Sequence, residues 1–181
     1  MLFARNFFKH PRMLGSVIPS SRFLINGLLK PVEWKRARVF VEYGPGVGTI
    51  TTEILRRLPK DGRLIVFETN RDFVSLLRTS LRDPRLHVVE GSAERVGEVL
   101  EELGLEVADY VVSGIPFSIM PPEVRDSVLR TTQRVLRADG QFLVYQFSPA
   151  VQPYLNRIFS DVDKGFQPLN ILPAWFFFCN P

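Results

Sequence analysis

From Val39 onward the chain alternates strand-like and helix-like runs, and this alternation constrains the fold more than any other feature. Short apolar runs rich in β-branched and aromatic residues predict five strands, at residues 39–43, 63–67, 86–89, 110–112 and 141–147. Apolar residues at helical spacing predict helices near residues 50–58, 73–81, 96–103, 121–137 and 149–159. Repeated strand–helix–strand units require a parallel sheet with helices on both faces.

The end of the chain breaks this alternation. Residues 162–169 and 171–179 both read as strands, with no helix between them. Two such strands predict a terminal hairpin, which places one antiparallel strand in an otherwise parallel sheet. The sequence therefore predicts an α/β, Rossmann-like fold with a mostly parallel seven-stranded sheet. A length of 181 residues suits a single domain of this kind.

The positive charge is concentrated at the start of the chain. Residues 1–38 carry eight basic side chains and one acidic one, whereas the remainder has a formal charge of −3. Large apolar residues are interleaved with these basic ones, as is typical of segments that bind an anionic membrane surface or a nucleic-acid backbone. We therefore divide the chain into a basic amphipathic arm (1–35) and a folded domain (36–181). The alternative is an arm that only covers one edge of the domain.

Several classes of site are excluded by composition. The single cysteine, Cys179, allows neither an internal disulfide nor a cysteine-built zinc site, and two histidines do not form a cluster, so we expect no metal. The longest apolar run, residues 174–179, is far shorter than the roughly 20 residues that span a bilayer. No apolar stretch near the start has the length of the hydrophobic region of a secretory signal, so we expect a cytoplasmic protein.

A glycine-rich turn follows the first predicted strand. Glycines at this point let the backbone turn tightly and approach a ligand, and sheets of this type bind ligands beyond the carboxyl ends of their strands. Glu68 ends the second strand about twenty residues later, where a carboxylate can accept both ribose hydroxyls. The turn carries an acid and three glycines at alternate positions, Glu42, Gly44, Gly46 and Gly48.

This E-x-G-x-G-x-G spacing resembles motif I of the class I S-adenosylmethionine-dependent methyltransferases, and departs from the G-x-G-x-x-G of dinucleotide-binding proteins. The resemblance implies S-adenosylmethionine as cofactor, with Glu42, the three glycines and Glu68 around it. Ser92 and Ala93, after the third strand, stand where related enzymes often place an aspartate for the adenine amino group. Ser92 has an alternative role as the N-cap of the next helix.

The stretch Ser113-Gly114-Ile115-Pro116-Phe117 follows the fourth strand. It resembles motif IV of amine-directed methyltransferases, which in adenine-specific members reads N-[L/P]-P-[Y/F]; here Gly114 takes the place of the asparagine. We expect Ser113 to contact the cofactor, and the backbone carbonyls of Gly114 and Ile115 to orient the amine. Phe117 is expected to face the methylated cation, or alternatively to pack in the core.

The combination Ser-Gly-Ile-Pro-Phe resembles the bacterial phospholipid N-methyltransferases, which methylate phosphatidylethanolamine towards phosphatidylcholine. Residues 10–21 resemble that family's N-terminal signature, x-P-x-x-x-G-[A/S]-[V/I]-x-P-S-S. The resemblance implies an enzyme on the inner face of the membrane whose arm grips an anionic surface and the phospholipid substrate. The residues that we assign to this contact are Arg5, Lys9, Arg12, Ser20 and Ser21.

Two other activities share these motifs. A ribosomal RNA adenine N6-dimethyltransferase has the same architecture, but Gly114 and the acidic body of the chain disfavour RNA, and DNA is not expected. A methyltransferase for a small amine would keep the cofactor site without needing the arm. No residue stands out as a general base, because His87 lies in a predicted strand and His10 in the arm.

Overall fold

A computed structural model describes residues 20–181 and shows one seven-stranded sheet in the order β3-β2-β1-β4-β5-β7-β6. The strands are β1 Val39–Tyr43, β2 Arg63–Glu68, β3 Leu86–Glu90, β4 Ala108–Ser113, β5 Leu136–Gln146, β6 Asp161–Gln167 and β7 Ala174–Asn180. The α-helices are α1 Arg22–Leu28, α2 Thr49–Arg57, α3 Arg71–Ser80, α4 Val96–Glu102, α5 Pro122–Val135 and α6 Gln152–Ile158. Short 3₁₀ turns cover Ala93–Arg95, Phe117–Ile119 and Pro149–Val151.

The predicted fold class is confirmed. Strands β1 to β5 pair in parallel, while β7 lies antiparallel between β5 and β6. Two apolar cores, one on each face of the sheet, hold the helices in place. Because β1 and β4 are neighbours although they are not consecutive in the chain, the carboxyl ends of β1, β2 and β4 open a crevice at one edge.

Strand β5 is longer than its prediction. Helix α5 ends at Val135 rather than near residue 137, and β5 begins at once with Leu136 instead of after a turn at Asp139 and Gly140. The pairing of β4 with β5 shifts register between Ala108 and Tyr110, so the predicted turn is an irregularity within the strand. A Cβ on Gly140 would lie 2.7 Å from the carbonyl oxygen of Asp109, which explains the glycine.

Helix α1 was not predicted. Ser21 caps it by accepting a hydrogen bond from the amide of Leu24, and Leu24 and Leu28 are completely buried on the face of the sheet that also holds Phe40. A serine followed by apolar residues at positions 24, 25 and 28 is a helix signal that the basic composition obscured. Residues 20–35 thus pack on the sheet, while the division of the chain at residue 35 stays a prediction.

No helix within residues 20–181 has both the length and the apolar character needed to span a bilayer.

Replacing Leu24 by alanine tests whether α1 is part of the folded core. Leu24 is completely buried, so we expect the L24A substitution to lower the free energy of unfolding by about 3 kcal/mol. The matched control is Phe23→Ala, one residue earlier, where the ring is 42 % exposed and a change below about 1 kcal/mol is expected. Urea denaturation measures both; equal, small effects would show that α1 adds nothing to the core.

Candidate active site

The predicted motifs converge on a cleft at the carboxyl edge of the sheet, with a volume of about 220 Å³. Its walls come from the ends of β1, β2 and β3 and from the segment after β4. Polar groups on one side are Glu68, Thr69 and Ser92, and apolar side chains on the others include Phe67, Ile115 and Met120. A flat apolar group with a polar, hydroxylated neighbour, such as a nucleoside, is the kind of ligand that suits these walls.

The glycine turn forms the floor between β1 and α2. Gly44 and Gly48 have φ of +69° and +83°, the left-handed region that side chains other than glycine rarely adopt. A Cβ on Gly44 would lie 2.7 Å from Cγ2 of Ile115, so the turn approaches the segment after β4 closely. The turn therefore needs glycine for its shape and for this contact.

Glu68 holds the turn in position. Its Oε2 accepts a hydrogen bond from the amide of Gly46 at 3.2 Å, and its Oε1 accepts one from the amide of Asn70 at 2.9 Å. Burial raises the pKa of Glu68, although these amide hydrogen bonds oppose the shift. The carboxylate lines the cleft and keeps unused lone pairs, so its geometry fits the predicted acceptor of ribose hydroxyls.

Glu42 lies deeper, under the turn. Its side chain is almost completely buried and Oε2 accepts a hydrogen bond of 2.7 Å from the Thr51 hydroxyl. Burial raises the pKa of Glu42 to about 8, and the neighbouring Glu68 adds to the increase. A buried carboxyl group of this kind favours a cationic partner.

The other predicted cofactor residues fall into two groups. Ser92 and Ala93 line the cleft, and Ser92 also caps the 3₁₀ turn by accepting a hydrogen bond from the amide of Glu94 at 3.3 Å, as in its alternative prediction. Ser113 is completely buried and outside the walls of the cleft; its hydroxyl accepts a hydrogen bond of 3.3 Å from the amide of Ile115. Ser113 thus shapes the segment after β4.

Two expectations for that segment need correction. Phe117 is completely buried and packs edge-on against Phe142 with ring centroids 6.1 Å apart, so its ring belongs to the core and faces no ligand. The carbonyl of Ile115 already accepts hydrogen bonds from the Gln146 side chain at 2.7 Å and from the amide of Phe117 at 3.0 Å. The lone pairs of the Ile115 carbonyl are therefore occupied. Of the two backbone carbonyls that were predicted to orient the amine, only that of Gly114 remains.

A second, narrow cavity of about 20 Å³ lies on the other side of the glycine turn. Ser20, Glu42, Gly44 and Gly114 line it together with Tyr145, a residue that the sequence analysis missed. Burial raises the pKa of Tyr145 to about 12, while a hydrogen bond with the Ser20 side chain lowers it. No sequence signal marks Tyr145, because only the pairing of Ser113 with Val144 brings it beside Gly114.

The residues assigned to the arm are only partly within the structure. Arg5, Lys9 and Arg12 lie outside the described residues. Ser20 lines the narrow cavity, while Ser21 caps α1 and donates its hydroxyl hydrogen to the carbonyl of Leu169 at 2.8 Å.

The site fits S-adenosylmethionine in its shape and its chemistry. The apolar walls suit an adenine ring, and Glu68 suits a ribose. Gly44 borders both the wide cleft and the narrow cavity, so the two meet at the glycine turn.

Comparison with known proteins supports this assignment. Residues 40–140 match a family described as a methyltransferase domain. The ornithine lipid N-methyltransferase of Singulisphaera acidiphila is 38 % identical, and the match covers 99 % of this chain and 94 % of that protein. The ribosomal RNA small subunit methyltransferase A of Laribacter hongkongensis is 32 % identical over 61 % of this chain and 40 % of its own length.

Solved structures share the architecture. Fibrillarin from Aeropyrum pernix, crystallised with bound S-adenosyl-L-methionine, superposes with a TM-score of 0.67 over 86 % of this chain and 73 % of its own. Its sequence identity of 17 % limits the likeness to the fold.

The buried Glu42 predicts a pH dependence of stability. Because its pKa rises from 4.5 to about 8 on folding, its contribution to stability is fully present below pH 4.5 and is lost as the pH rises through 8. We therefore expect Glu42→Gln to gain about 3 kcal/mol in unfolding free energy relative to the unsubstituted protein between pH 5 and pH 8. Urea denaturation at each pH measures this difference.

Glu53→Gln is the control for this experiment. Arg56 and Arg57 lower the pKa of Glu53 to about 2, so this carboxylate stays ionised throughout the range and the difference in stability should stay constant. Identical pH profiles for Glu42→Gln and the unsubstituted protein would contradict the assignment of the buried acid.

Proposed function

The chain belongs to the methyltransferase domain family, and on that premise we propose that it methylates the amine of a lipid headgroup at a membrane surface. The observation that carries the proposal is the similarity to an ornithine lipid N-methyltransferase along nearly the whole length of both proteins. Phosphatidylethanolamine, which the motifs suggested, and an ornithine lipid both present a primary amine. The acceptor is therefore a primary amine on a lipid headgroup, and labelled transfer to the two lipids distinguishes between the headgroups.

S-adenosylmethionine is the methyl donor, and it supplies a methyl group made electrophilic by the attached sulfonium. We assign its adenosine to the wide cleft, with Glu68 on the ribose and Ser92 and Ala93 beside the base. The glycine turn, with Gly44, Gly46 and Gly48, faces the amino-acid part. Beneath this turn, the buried Glu42 accepts a hydrogen bond from the Thr51 hydroxyl and so joins the turn to α2.

The reaction requires an amine with a free lone pair. The nitrogen forms a bond to the methyl carbon while the carbon–sulfur bond breaks, and that electron pair remains on sulfur, leaving S-adenosylhomocysteine and a methylated ammonium. Solvent takes the ammonium proton before the nitrogen reacts again. Alignment of two bound reactants can account for roughly 7–11 kcal/mol of such a barrier, so this site needs no strong base.

An exposed apolar surface beside the site supports action on a lipid. We call it the apolar rim, and its residues are Phe23, Ile119, Phe147, Phe166, Leu169, Ile171 and Leu172. Ile171 is 70 % exposed and Leu169 is 59 % exposed, and both belong to the loop between β6 and β7 at the carboxyl edge. Residues 165–181 contain no charged side chain. This edge can therefore enter a bilayer interface without the free-energy penalty of removing a charged group from water.

The arm adds an electrostatic contribution to this surface. The chain enters the described structure at Ser20, beside the same loop, because the amide of Ser21 donates to the side chain of Asn170 at 3.0 Å. Residues 1–35, with Arg5, Lys9 and Arg12, are proposed to bind anionic lipids, at about 1 kcal/mol for each basic group near the surface. Residues 36–181 form the catalytic domain in this proposal.

Methylation of ribosomal RNA is the second candidate. The match to a ribosomal RNA methyltransferase favours it, but that match covers only 40 % of the relative. Gly114 also lacks the side-chain acceptor that adenine-specific enzymes use, and an uncharged apolar rim is a poor partner for phosphates. We therefore rank it below lipid methylation.

The proposal predicts transfer of labelled methyl groups to amino lipids. Purified protein is incubated with labelled S-adenosylmethionine and anionic vesicles that contain either phosphatidylethanolamine or an ornithine lipid, and the lipids are separated by chromatography. We expect label in at least one amino lipid and none in vesicles without an amine. Label that appears only in added ribosomal RNA would reject lipid methylation and favour the second candidate.

If the apolar rim docks on a membrane, placing a charged side chain in it should weaken vesicle binding. Ile171→Asp should weaken binding to phosphatidylglycerol vesicles about tenfold, because an exposed aliphatic side chain no longer enters the interface. Val107→Asp is the matched control, since Val107 is exposed but lies before β4 at the opposite edge of the sheet. Co-sedimentation measures binding; if I171D binds as tightly as V107D, the rim takes no part in docking.

A further inference from the structure

The segment after β4 keeps only the Gly114 carbonyl among the acceptors expected for the substrate amine. Gly114 stands where adenine-directed methyltransferases have an asparagine, and the carbonyl of Ile115 is already bonded to Gln146 and to the amide of Phe117. Phe117 points into the core. A side-chain acceptor for the nitrogen, in the place of the asparagine of the adenine-directed motif, therefore has to come from another element.

Tyr145 fills the space that a side chain at position 114 would occupy. A Cβ built on Gly114 would lie 2.6 Å from Cζ of Tyr145, nearer still to its hydroxyl oxygen, and a real Cβ is essentially never that close to another heavy atom. The pairing of Ser113 with Val144 fixes this juxtaposition, because Gly114 directly follows Ser113 at the end of β4 and Tyr145 directly follows Val144 in β5. Position 114 therefore has to be glycine to make room for the Tyr145 side chain.

The narrow cavity beside this phenol has the size and polarity for an amine. Its volume of about 20 Å³ holds one water-sized group, such as an amine nitrogen with its hydrogens. The hydroxyls of Ser20, Thr49 and Tyr145 and the carboxyl group of Glu42 are the polar side chains among its walls. Tyr145 is 8 % exposed, so its hydroxyl acts in a nearly water-free environment where hydrogen bonds are strong.

We propose that the Tyr145 hydroxyl, which shares the wall of this cavity with Ser20, accepts a hydrogen bond from the substrate amine and aims the lone pair of the nitrogen at the methyl group. This inference rests on the proposed methylation of an amine. Tyr145 stays protonated at neutral pH, since burial raises its pKa to about 12, so it binds through an oxygen lone pair and does not act as a base. Tyr145 thus supplies the acceptor that the asparagine supplies in the adenine-directed motif.

The number of N–H groups gives this inference a specific signature. A neutral primary amine has two N–H bonds, a secondary amine has one, and a tertiary amine has none. A hydrogen bond to Tyr145 therefore assists the first and second methylations and cannot assist a third. A tyrosine that only filled space would affect all three steps alike.

The test compares Tyr145→Phe, which keeps the ring and removes the hydroxyl, with the unsubstituted protein. Initial rates are measured with the unmethylated, monomethylated and dimethylated forms of the lipid that the unsubstituted protein accepts, and donor affinity is measured by calorimetry with S-adenosylhomocysteine. We expect kcat to fall at least tenfold on the first two forms, no change on any dimethylated lipid that is a substrate, and donor affinity within twofold.

Tyr110→Phe is the matched control. Tyr110 is also buried in the sheet, and its hydroxyl accepts a hydrogen bond from the amide of Glu33 at 3.0 Å, away from the site. The Y110F substitution removes a comparable buried hydroxyl and should leave all the methylation rates unchanged.

Three outcomes would overturn the inference. Unchanged rates for Y145F would show that the hydroxyl is not used, and equal losses on all lipid forms would show a structural role. A matching loss of affinity for S-adenosylhomocysteine would show that the cavity holds the amine of the donor instead of that of the lipid. Failure of the proposed function is separate, because then the unsubstituted protein methylates no lipid amine.

Discussion

The hydrogen bond from the Gly46 amide to the Glu68 carboxylate joins the ends of two neighbouring strands, and the rest of the site depends on it. It fixes the glycine turn over the carboxyl end of β2, so that one face of the turn bounds the wide cleft and the other covers the narrow cavity. The same carboxylate accepts the amide of Asn70 and so also fixes the entry to α3. One side chain thereby positions the floor and one wall of the site.

The parts of the site that were predicted are those that a short stretch of chain determines. Local spacing is enough to predict the glycine turn, Glu68 and the order of strands and helices. Each helix and strand has its own apolar periodicity, and each turn is marked by its own glycines. The terminal hairpin was likewise visible, since two apolar runs follow each other without a helix between them. The described structure agrees with these predictions to within a few residues at most boundaries.

What was missed depends on contacts between distant residues. Tyr145 looks like an ordinary strand residue until the register of β4 and β5 sets it beside Gly114. Phe117 is expected at the ligand because it is the last residue of the motif, yet its ring takes the alternative position in the core against Phe142. Helix α1 was missed because the whole segment was classified by its many basic residues. The helix signal lies in its buried leucines, which share one side of the helix.

The bonds between Ser21 and the loop of the terminal hairpin join residues that are 148 and 149 positions apart in the chain. A ribosome therefore completes nearly the entire domain before the partner of this serine emerges. Until then the segment at Ser20, which forms one wall of the narrow cavity, has no anchor on that side. The strands β1, β2 and β4 around the donor cleft are thus all synthesised by Ser113, whereas the neighbouring compartment gains this anchor only after residues 169 and 170 have been added.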